Sequence, residues 1–334
     1  MKIGPICERK LDLIFDDSDP ADMDSELMSV AEEDELVSGL RDAGHQVLTI
    51  RDANALLRRL SHWKRNCDLI VNRSTGYRGR DRTLLTPAVL EVVGIPYVGC
   101  TPYVHGLVRN KLHTKLVVAS AGLLTPSAVL VREGEHPDLA RVTFPAIVKP
   151  VGESSSLGIE TGRAVVADAA SALERARLLI ARYNQPAIVE TFIRGTEIEV
   201  PLLTDPAPRA LGAVALTLDG NVVAGDVHLV SDVVYGDGYG FADPPAEIDL
   251  ERVCRAAETA ARELGIRDYG RVDFRVAEDG SPWLMEANSL PHLQRHSSFY
   301  HLARGRGLAY HAMLDELLTA ALRRIERERG GQRS

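Results

Sequence analysis

Short apolar runs alternate with amphipathic stretches along the first hundred residues. The apolar runs are nearly continuous, which is typical of strands buried on both faces of a parallel sheet. Such strands are predicted at residues 2–7, 47–50, 68–72 and 96–99. Helical periodicity separates them, most clearly over residues 26–43 and 83–94, whereas the acidic, turn-rich residues 8–25 predict a solvated loop. The alternation predicts an N-terminal parallel α/β lobe over residues 1–100.

A second unit is indicated by further apolar strands and an amphipathic helix. The strands are predicted in AVLV (128–131), FPAIVKP (144–150) and AIVETFI (187–193). The amphipathic helix is predicted over residues 167–184, and another helix, over residues 105–122, ends at Gly122. We expect these elements to form a central lobe over residues 101–190.

The last third of the chain changes to an antiparallel pattern. Strands are predicted in EIEVPLLT (197–204) and ALGAVALTL (210–218), followed by a Gly-, Asp- and Tyr-rich loop at 231–245. A well-framed helix begins after the N-cap residue Asp249 and stops at Gly265. A hairpin and a closing helix over residues 310–329 complete a C-terminal lobe, residues 191–330. The predicted fold class is therefore α/β, with α+β lobes.

Charge and composition narrow the class of partner. The 334 residues carry 39 Lys and Arg against 47 Asp and Glu, a net charge of −8. A nucleic-acid-binding protein normally has a basic footprint, so we expect no nucleic-acid partner. No apolar run approaches the ~20 residues of a membrane span, and the first residues have no apolar stretch long enough for a signal peptide. We therefore expect a cytoplasmic protein with no membrane partner, whose four cysteines are reduced thiols without zinc spacing.

One lysine lies in a strand that is otherwise apolar. The chain has six lysines, and Lys149 in FPAIVKP is surrounded by apolar residues. Its ammonium group would be costly to desolvate unless an anion faced it. The following segment, Gly152 to Gly158, consists largely of small residues whose backbone N–H groups and hydroxyls suit phosphate oxygens. The alternative is a flexible, solvated loop beside a strand-end lysine.

Hard oxygen ligands lie on both strands of the predicted hairpin. Asp273 is in RVDFRV, and Glu286 and Asn288 are in WLMEANS, with the turn-forming pair Asp279-Gly280 between the strands. Alternation along the strands would bring the three side chains to one face. Mg²⁺ prefers one or two carboxylates, with phosphate and water completing its shell. With the lysine and the small-residue loop, the hairpin predicts a nucleoside-triphosphate site that lacks a Walker A or GxGxxG motif.

The chain resembles the ATP-grasp superfamily, and within it ligases of the D-alanine–D-alanine ligase type. The matching stretches follow the family's order: TGYRGRDRTLLTPAVLEVVGIPYVGCTP (75–102), NKLHTKLVVASAGLLTP (110–126), FPAIVKPVGESSSLGI (144–159), IVETFIRGTEIEV (188–200), GRVDFRVAEDGSPWLMEANSLP (270–291) and SSFYHLARGRGLAYHAML (297–314). The resemblance implies three lobes, with ATP and Mg²⁺ held between two antiparallel sheets. It also implies a homodimer, and a reaction in which a carboxylate takes the γ-phosphoryl group before an amine displaces phosphate.

The resemblance also assigns roles to single residues. Nucleotide-binding roles fall on Lys111, Lys149, Ser156, Glu190, Ile193 and Glu197. Within this set the lysines hold phosphates, Glu190 and Ile193 lie at the adenine and its linker strand, and Glu197 lies at the ribose. The implied metal ligands are Asp273, Glu286 and Asn288. Arg271 corresponds to the arginine that stabilises a tetrahedral oxyanion, and Ser155 to a loop serine near the first substrate. Ser297 and Ser298 fall where an acceptor carboxylate is bound.

Departures from the family pattern cluster on the substrate positions and the lid. His292 stands where the family has a glycine after a proline. No lysine follows Lys149, so the family's lid lysine is missing, and the nearest replacement is His228, a weaker and pH-dependent cation. The family's GGxSxE segment, whose glutamate holds the first substrate's amine, is not recognisable, which leaves Glu8 and Glu26 open as substitutes.

These observations leave three functional hypotheses. The favoured one is an ATP-dependent carboxylate–amine ligase in specialised biosynthesis that joins amino-acid-like substrates other than two D-alanines, between molecules or within one. The second is a D-alanine–D-alanine ligase of cell-wall synthesis. The third is a non-catalytic nucleotide-binding protein, which the intact Lys149, Arg271 and metal residues disfavour because binding alone needs no oxyanion arginine.

Overall fold

The computed structural model describes residues 1–9, 27–76, 79–236 and 238–331. Residues 10–25 of the predicted acidic loop, and Glu26, lie outside these ranges. The N-terminal lobe has strands β1 (Lys2–Ile6), β2 (Gln46–Val47), β3 (Leu69–Asn72) and β4 (Tyr97–Val98) and helices α1 (Val30–Asp42), α2 (Ala53–Arg58), α3 (Leu60–Asn66) and α4 (Leu85–Val93). The strands pair in parallel in the order β2-β1-β3-β4, so the predicted parallel sheet is present.

The next elements are two helices and an antiparallel sheet. The helices are α5 (Pro102–Arg109) and α6 (Lys111–Ser120), followed by β5 (Ala128–Val131), β6 (Ala146–Pro150), β7 (Val165–Val166), α7 (Ala169–Tyr183) and β8 (Ala187–Thr191). The sheet order is β5-β8-β6-β7. One continuous helix was predicted over 105–122, but Asn110 ends α5 and caps α6 with its side chain. A side-chain cap of this kind starts a new helix even where apolar periodicity runs on.

A larger antiparallel sheet forms the C-terminal lobe. Its strands are β9 (Thr196–Thr204), β10 (Pro208–Ala210), β11 (Val214–Leu218), β12 (Asn221–Val222), β13 (Tyr239–Ala242), β14 (Tyr269–Val276) and β15 (Pro282–Asn288), and its main order is β12-β11-β9-β14-β15. The helices are α8 (Ser231–Tyr235), α9 (Leu250–Leu264), α10 (Ser298–Gly305) and α11 (Tyr310–Gly331). The loop predicted at 231–245 thus contains a short helix and a strand that pairs with β11.

Packing joins the three parts of the chain. Val104, Val108 and Val118 from α5 and α6 share one apolar core with α9 and the large sheet. Leu36 and Leu40 of α1 share another core with α11. Within the described ranges no helix is both long and apolar enough to cross a bilayer.

Candidate active site

A deep cleft lies between the β5–β8 sheet and the β9–β14–β15 face of the large sheet. One part of the cleft is lined by Lys111, Lys149, Phe192 and His228. Its other part is lined by Arg73, Arg271, Tyr239 and His292. Both parts share Ser154, Ser156, Glu197, Asp273 and Glu286, so they form one continuous site.

Two lysines converge on Glu190 at the floor of the cleft. Lys149 Nζ lies 2.6 Å from Glu190 Oε1, and Lys115 Nζ lies 3.0 Å from Oε2. Burial alone would raise the pKa of Glu190, but the two lysines outweigh it and lower that pKa to about 2. Glu190 is fully buried and fixes both ammonium groups. The sequence predicted no role for Lys115, which forms one of these two ion pairs. The role of Glu190 at the adenine stays a prediction.

The segment from Gly152 to Gly158 is fixed by Glu153. The buried Glu153 carboxylate accepts hydrogen bonds from Arg82 (2.8 Å), Arg109 (2.9 Å) and Gln185 (2.6 Å). Lys111 Nζ donates to the Glu153 carbonyl oxygen. These contacts order one end of the loop and argue against a freely moving segment.

Ser155 and Ser156 lie at the tip of the same loop. Both adopt left-handed backbone conformations, with φ of 53° and 55°. Successive turn conformations of this kind point backbone N–H groups into one concavity, which suits an anion. Ser155 and Ser156 both line the cleft, and their roles toward the first substrate and the nucleotide stay predictions.

The predicted metal ligands come together on the β14–β15 hairpin. Asp273 is paired across the strands with Glu286, and the register shifts immediately after Asp273. Asn288 Nδ2 lies 2.8 Å from Asp273 Oδ2 and 3.4 Å from Glu286 Oε1. The described residues contain no cluster of three His, Cys, Asp or Glu side chains that could hold a metal. The hairpin itself offers two carboxylates and an amide. This number of protein ligands suits Mg²⁺ when a phosphate completes its coordination shell.

The electrostatics of the hairpin also fit a cation. Burial, opposed by Arg271 and reinforced by Glu199, raises the pKa of Asp273 to about 7. Burial likewise raises the pKa of Glu197 and Glu199. Glu286 differs, because Lys111, Lys149 and Arg271 overcome its burial and lower its pKa. The cleft thus has more buried carboxylates than its fixed cations satisfy, and a divalent ion would supply the missing charge.

Arg271 lies beside the predicted hairpin ligands, in the part of the cleft that Tyr239 and His292 also line. Its Nε and Nη2 each lie 2.7 Å from the Asp273 carboxylate, and its Nη1 lies 3.2 Å from Glu199. Two parallel hydrogen bonds hold the plane of the guanidinium. The guanidinium is thus held rigidly beside the predicted metal ligands.

In the part of the cleft that Lys149 lines, His228 packs edge-on against Phe192, with ring centroids 5.7 Å apart. Burial lowers the pKa of His228 below its usual value of 6.5. The ring is therefore neutral at pH 7 and offers a hydrogen bond rather than the positive charge of a lid lysine. Ile193 is half-buried next to Phe192, and it is Phe192 that lines the cleft.

At the opposite end, the predicted substrate residues separate. His292 lines the cleft with a side chain 46% exposed, and its Nδ1 lies 3.7 Å from Glu32. Ser297 instead caps α10, accepting from Tyr300 N and donating to the Gln294 carbonyl at 2.6 Å. Ser298 is buried and hydrogen-bonds Glu199. Both serine hydroxyls are engaged within the protein, and their role toward an acceptor carboxylate stays a prediction.

Glu8 and Glu32 bear on the open question of the amine-binding glutamate. Glu8 is buried and accepts from the Ser74 hydroxyl at 2.7 Å and the Gly76 N–H at 3.1 Å, within the N-terminal lobe. Among the described acidic residues of this lobe, Glu32 is the one that lines the cleft. The sequence marks Glu32 only through the capping box that it forms with Ser29 at the start of α1.

A cleft between two antiparallel sheets, with lysines on one side and a carboxylate hairpin on the other, defines an ATP-grasp protein. The family profile described as D-ala D-ala ligase C-terminus matches residues 121–319. The D-alanine–D-alanine ligase of Geotalea uraniireducens is 33% identical over 242 residues, 71% of this chain and 74% of that protein. That of Azoarcus sp. is 35% identical over 249 residues, 74% of this chain and 77% of that protein. The chain belongs to the D-alanine–D-alanine ligase family.

Solved structures agree on the fold. The D-alanine–D-alanine ligase of Bacillus anthracis, in complex with ATP, has a TM-score of 0.72 at 21% identity and covers 98% of this chain and 99% of its own. The D-Ala:D-Ser ligase VanG of Enterococcus faecalis has a TM-score of 0.70 at 20% identity, covering 96% and 99%. The predicted ATP-grasp fold and ligase class are confirmed.

Proposed function

We propose that this ligase joins the carboxylate of one amino-acid-like substrate to the amine of another through an acyl-phosphate, releasing ADP and phosphate. The observation that carries the proposal is the position of Arg271, held 2.7 Å from both oxygens of Asp273 where the two parts of the cleft meet. A fixed guanidinium there meets the negative charge that develops as the amine attacks. A protein that only bound nucleotide would need no such group.

The residues of the cleft divide the remaining work. The enzyme uses ATP and Mg²⁺. Lys111, Lys149 and the loop around Ser156 would hold the phosphates, and Glu197 the ribose. Asp273, Glu286 and Asn288 would hold Mg²⁺, which when bound neutralises phosphate charge and polarises the transferred group. Glu190 acts indirectly, by orienting Lys149.

We propose further that the substrate pair differs from two D-alanines and serves a specialised biosynthesis. His292 and Glu32 face each other across the substrate end, where the family has a small glycine in place of the histidine. Ser297 and Ser298, the expected acceptor-carboxylate residues, are engaged with the protein. These differences change the shape and the charge of the pocket that selects the substrates.

D-alanine–D-alanine ligation is the second candidate. It is favoured by the names of the relatives from Geotalea and Azoarcus, which align with more than two thirds of this chain. The two candidates share the nucleotide and metal residues and differ only at the substrate end.

The deciding experiment measures phosphate release with Mg-ATP across D- and L-amino acids, singly and in pairs, with product mass. Release with a pair other than two D-alanines, and the corresponding dipeptide or cyclic mass, is the expected result. Release with D-alanine alone and a D-Ala–D-Ala mass would establish the second candidate. ATP binding without release for any pair would contradict the ligase assignment.

A homodimer and a cytoplasmic location complete the proposal. Three apolar side chains on the surface of α4 and α5 support self-association: Leu85, Val92 and Tyr103 are 53%, 87% and 74% exposed. Light scattering coupled to gel filtration would give the mass of the particle, and a monomer mass for the wild type would contradict the dimer. Fractionation of source cells would test the location.

A further inference from the structure

A buried arginine at the substrate end of the cleft has no acidic partner among the residues that the structure describes. Arg73, directly after β3, is 7% exposed and lines the cleft beside Thr75 and Gln294. Its Nη1 donates to the Tyr269 hydroxyl at 3.1 Å, and its buried Nε has no hydrogen-bond partner. Among the described residues no carboxylate lies within ion-pair distance of Arg73. A buried guanidinium in that state is costly unless an anion arrives to meet it.

The nearby acids are committed elsewhere. Glu8 accepts from Ser74 and Gly76, and Glu199 accepts from Arg271 and Ser298. Glu32 caps α1 through the Ser29 N–H at 2.6 Å and faces His292. Within the described part of the chain, the polar partner of Arg73 is thus a neutral phenol, which leaves the charge of Arg73 for a ligand.

The order of side chains along β14 shows where Arg73, which contacts this strand at Tyr269, lies relative to the rest of the cleft. Side chains two residues apart on a strand share one face and are separated by about 7 Å. On this face β14 carries Arg275 near His228, then Asp273 at the metal hairpin, then Arg271, then Tyr269, which binds Arg73. Arg73 thus lies one step beyond Arg271, on the side away from the nucleotide.

We infer that Arg73 binds a second substrate carboxylate, one that is not activated by phosphorylation. This inference rests on the proposed ligase function, in which the reacting carboxylate occupies the space by Arg271. The second carboxylate is either the α-carboxylate of the amine-bearing substrate or a side-chain carboxylate of the activated one. Arg73 is then the specificity residue that replaces the engaged Ser297 and Ser298.

The test compares Arg73→Met with Arg324→Met. Arg324 is a similarly enclosed arginine, but it pairs with Asp268 and does not line the cleft. In Arg73→Met the KM of the carboxylate-bearing substrate should rise about 30-fold or more, the effect of truncating one side of a buried charge pair. The KM of ATP should stay within about twofold of wild type, since Arg73 lies beyond the reacting centre. Arg324→Met should leave both KM values unchanged.

Two substrate series identify the carboxylate. Amino-acid amides in place of the free acceptor remove the α-carboxylate, and glutamine in place of glutamate removes a side-chain carboxylate. In one of the two series, wild type should have a lower KM for the substrate with the carboxylate than for the analogue without it. In Arg73→Met the two KM values should become similar. Arg73→Lys keeps the charge and should restore part of the difference in KM. Equal KM values for wild type and Arg73→Met in both series would overturn the inference.

Thermal unfolding of the ligand-free protein separates this inference from the ligase proposal. Arg73→Met should leave the Tm equal to or above that of wild type, because no protein carboxylate loses its partner. Arg324→Met should lower the Tm, because it leaves Asp268 buried without its partner. A fall in Arg73→Met as large as that in Arg324→Met would make Arg73 structural and overturn the inference. Absence of phosphate release from wild type with every pair would instead overturn the ligase function.

Discussion

Cations support the charge of Glu286, because Lys111, Lys149 and Arg271 lower its pKa against the effect of burial. It is also one of the two carboxylates among the three predicted metal ligands. Glu286→Ala should therefore reduce substrate-dependent ADP release by more than the ~10²-fold typical of residues that only orient a metal ligand. Coupled-enzyme detection of ADP measures this. Glu278→Ala, on the exposed turn of the same hairpin, should retain full activity. Comparable turnover in the two variants would refute the metal assignment.

Glu190 stabilises the fold as well as the site. Glu190→Gln leaves Lys115 and Lys149 buried with only a neutral partner, and should lower the free energy of unfolding by roughly 3–5 kcal/mol. Urea denaturation followed by circular dichroism gives this value. Glu174→Gln, on the exposed face of α7, serves as the matched control and should change it little. An equal effect in both variants would show that the Glu190 ion pairs add no stability.

The same residue predicts a pH dependence. The pKa of Glu190 is about 2 in the folded protein, against a usual value of 4.5. A lowered carboxylate pKa contributes stability that is complete above pH 4.5 and is lost as the pH falls toward 2. Wild type should lose stability across this window more steeply than Glu190→Gln. Parallel curves for the two proteins between pH 5 and 2.5 would contradict the lowered pKa.

Among the elements, the Gly152–Gly158 loop depends on its last glycine. Gly158 has φ of 79°, and a Cβ there would lie 2.8 Å from Pro150 Cδ. Gly162 has φ of 68° with nothing within 4 Å of the added atom. Both alanine variants meet the backbone strain of about 1–2 kcal/mol, but only Gly158→Ala also displaces the loop from β6. Its KM for ATP should rise about tenfold, an order-of-magnitude expectation for a misplaced binding loop, whereas that of Gly162→Ala should not. Matching KM values in the two variants would show that the loop shape does not govern nucleotide binding.

Local signals predicted some elements closely and others poorly. Asp249 and Gly265 bound α9 because a side-chain cap and a left-handed glycine (φ 75°) are encoded in single residues. The hairpin carrying Asp273 and Glu286 followed from strand alternation and a tight turn. Residues 231–245 were read as a loop because their Gly content hides β13, whose strand conformation depends on pairing with β11. Pairing with a distant strand has no local signature.

At the scale of the whole molecule, the sequence predicted the ATP-grasp fold but not the long-range partners around the cleft. Lys115 meets Glu190 across 75 positions, and Arg73 meets Tyr269 across 196. Neither pair has a spacing that a sequence pattern can express, since each depends on how elements far apart in the sequence pack. The engaged state of Ser297, which fills an N-cap position, likewise becomes visible only in three dimensions.

Asp268 joins three distant parts of the chain and so tests whether the lobes unfold together. Its carboxylate, fully buried, accepts from Arg324 of α11 at 2.7 Å and from the Gly99 N–H after β4 at 2.8 Å, while its own backbone leads into β14. Asp268 has φ of 62°, a left-handed conformation that asparagine also tolerates. Asp268→Asn therefore removes the charge without adding backbone strain.

The expected result is one cooperative unfolding transition whose free energy is lower by roughly 3 kcal/mol, because Arg324 loses its buried partner. Calorimetry and near-UV circular dichroism should report the same midpoint, since the core shared by α1 and α11 couples the N-terminal and C-terminal lobes. Asp219→Asn makes the same substitution at an exposed left-handed position (φ 51°) and should leave the midpoint unchanged. Two separate transitions in Asp268→Asn would mean that the N-terminal lobe folds independently and that Asp268 only docks it onto the ligase core.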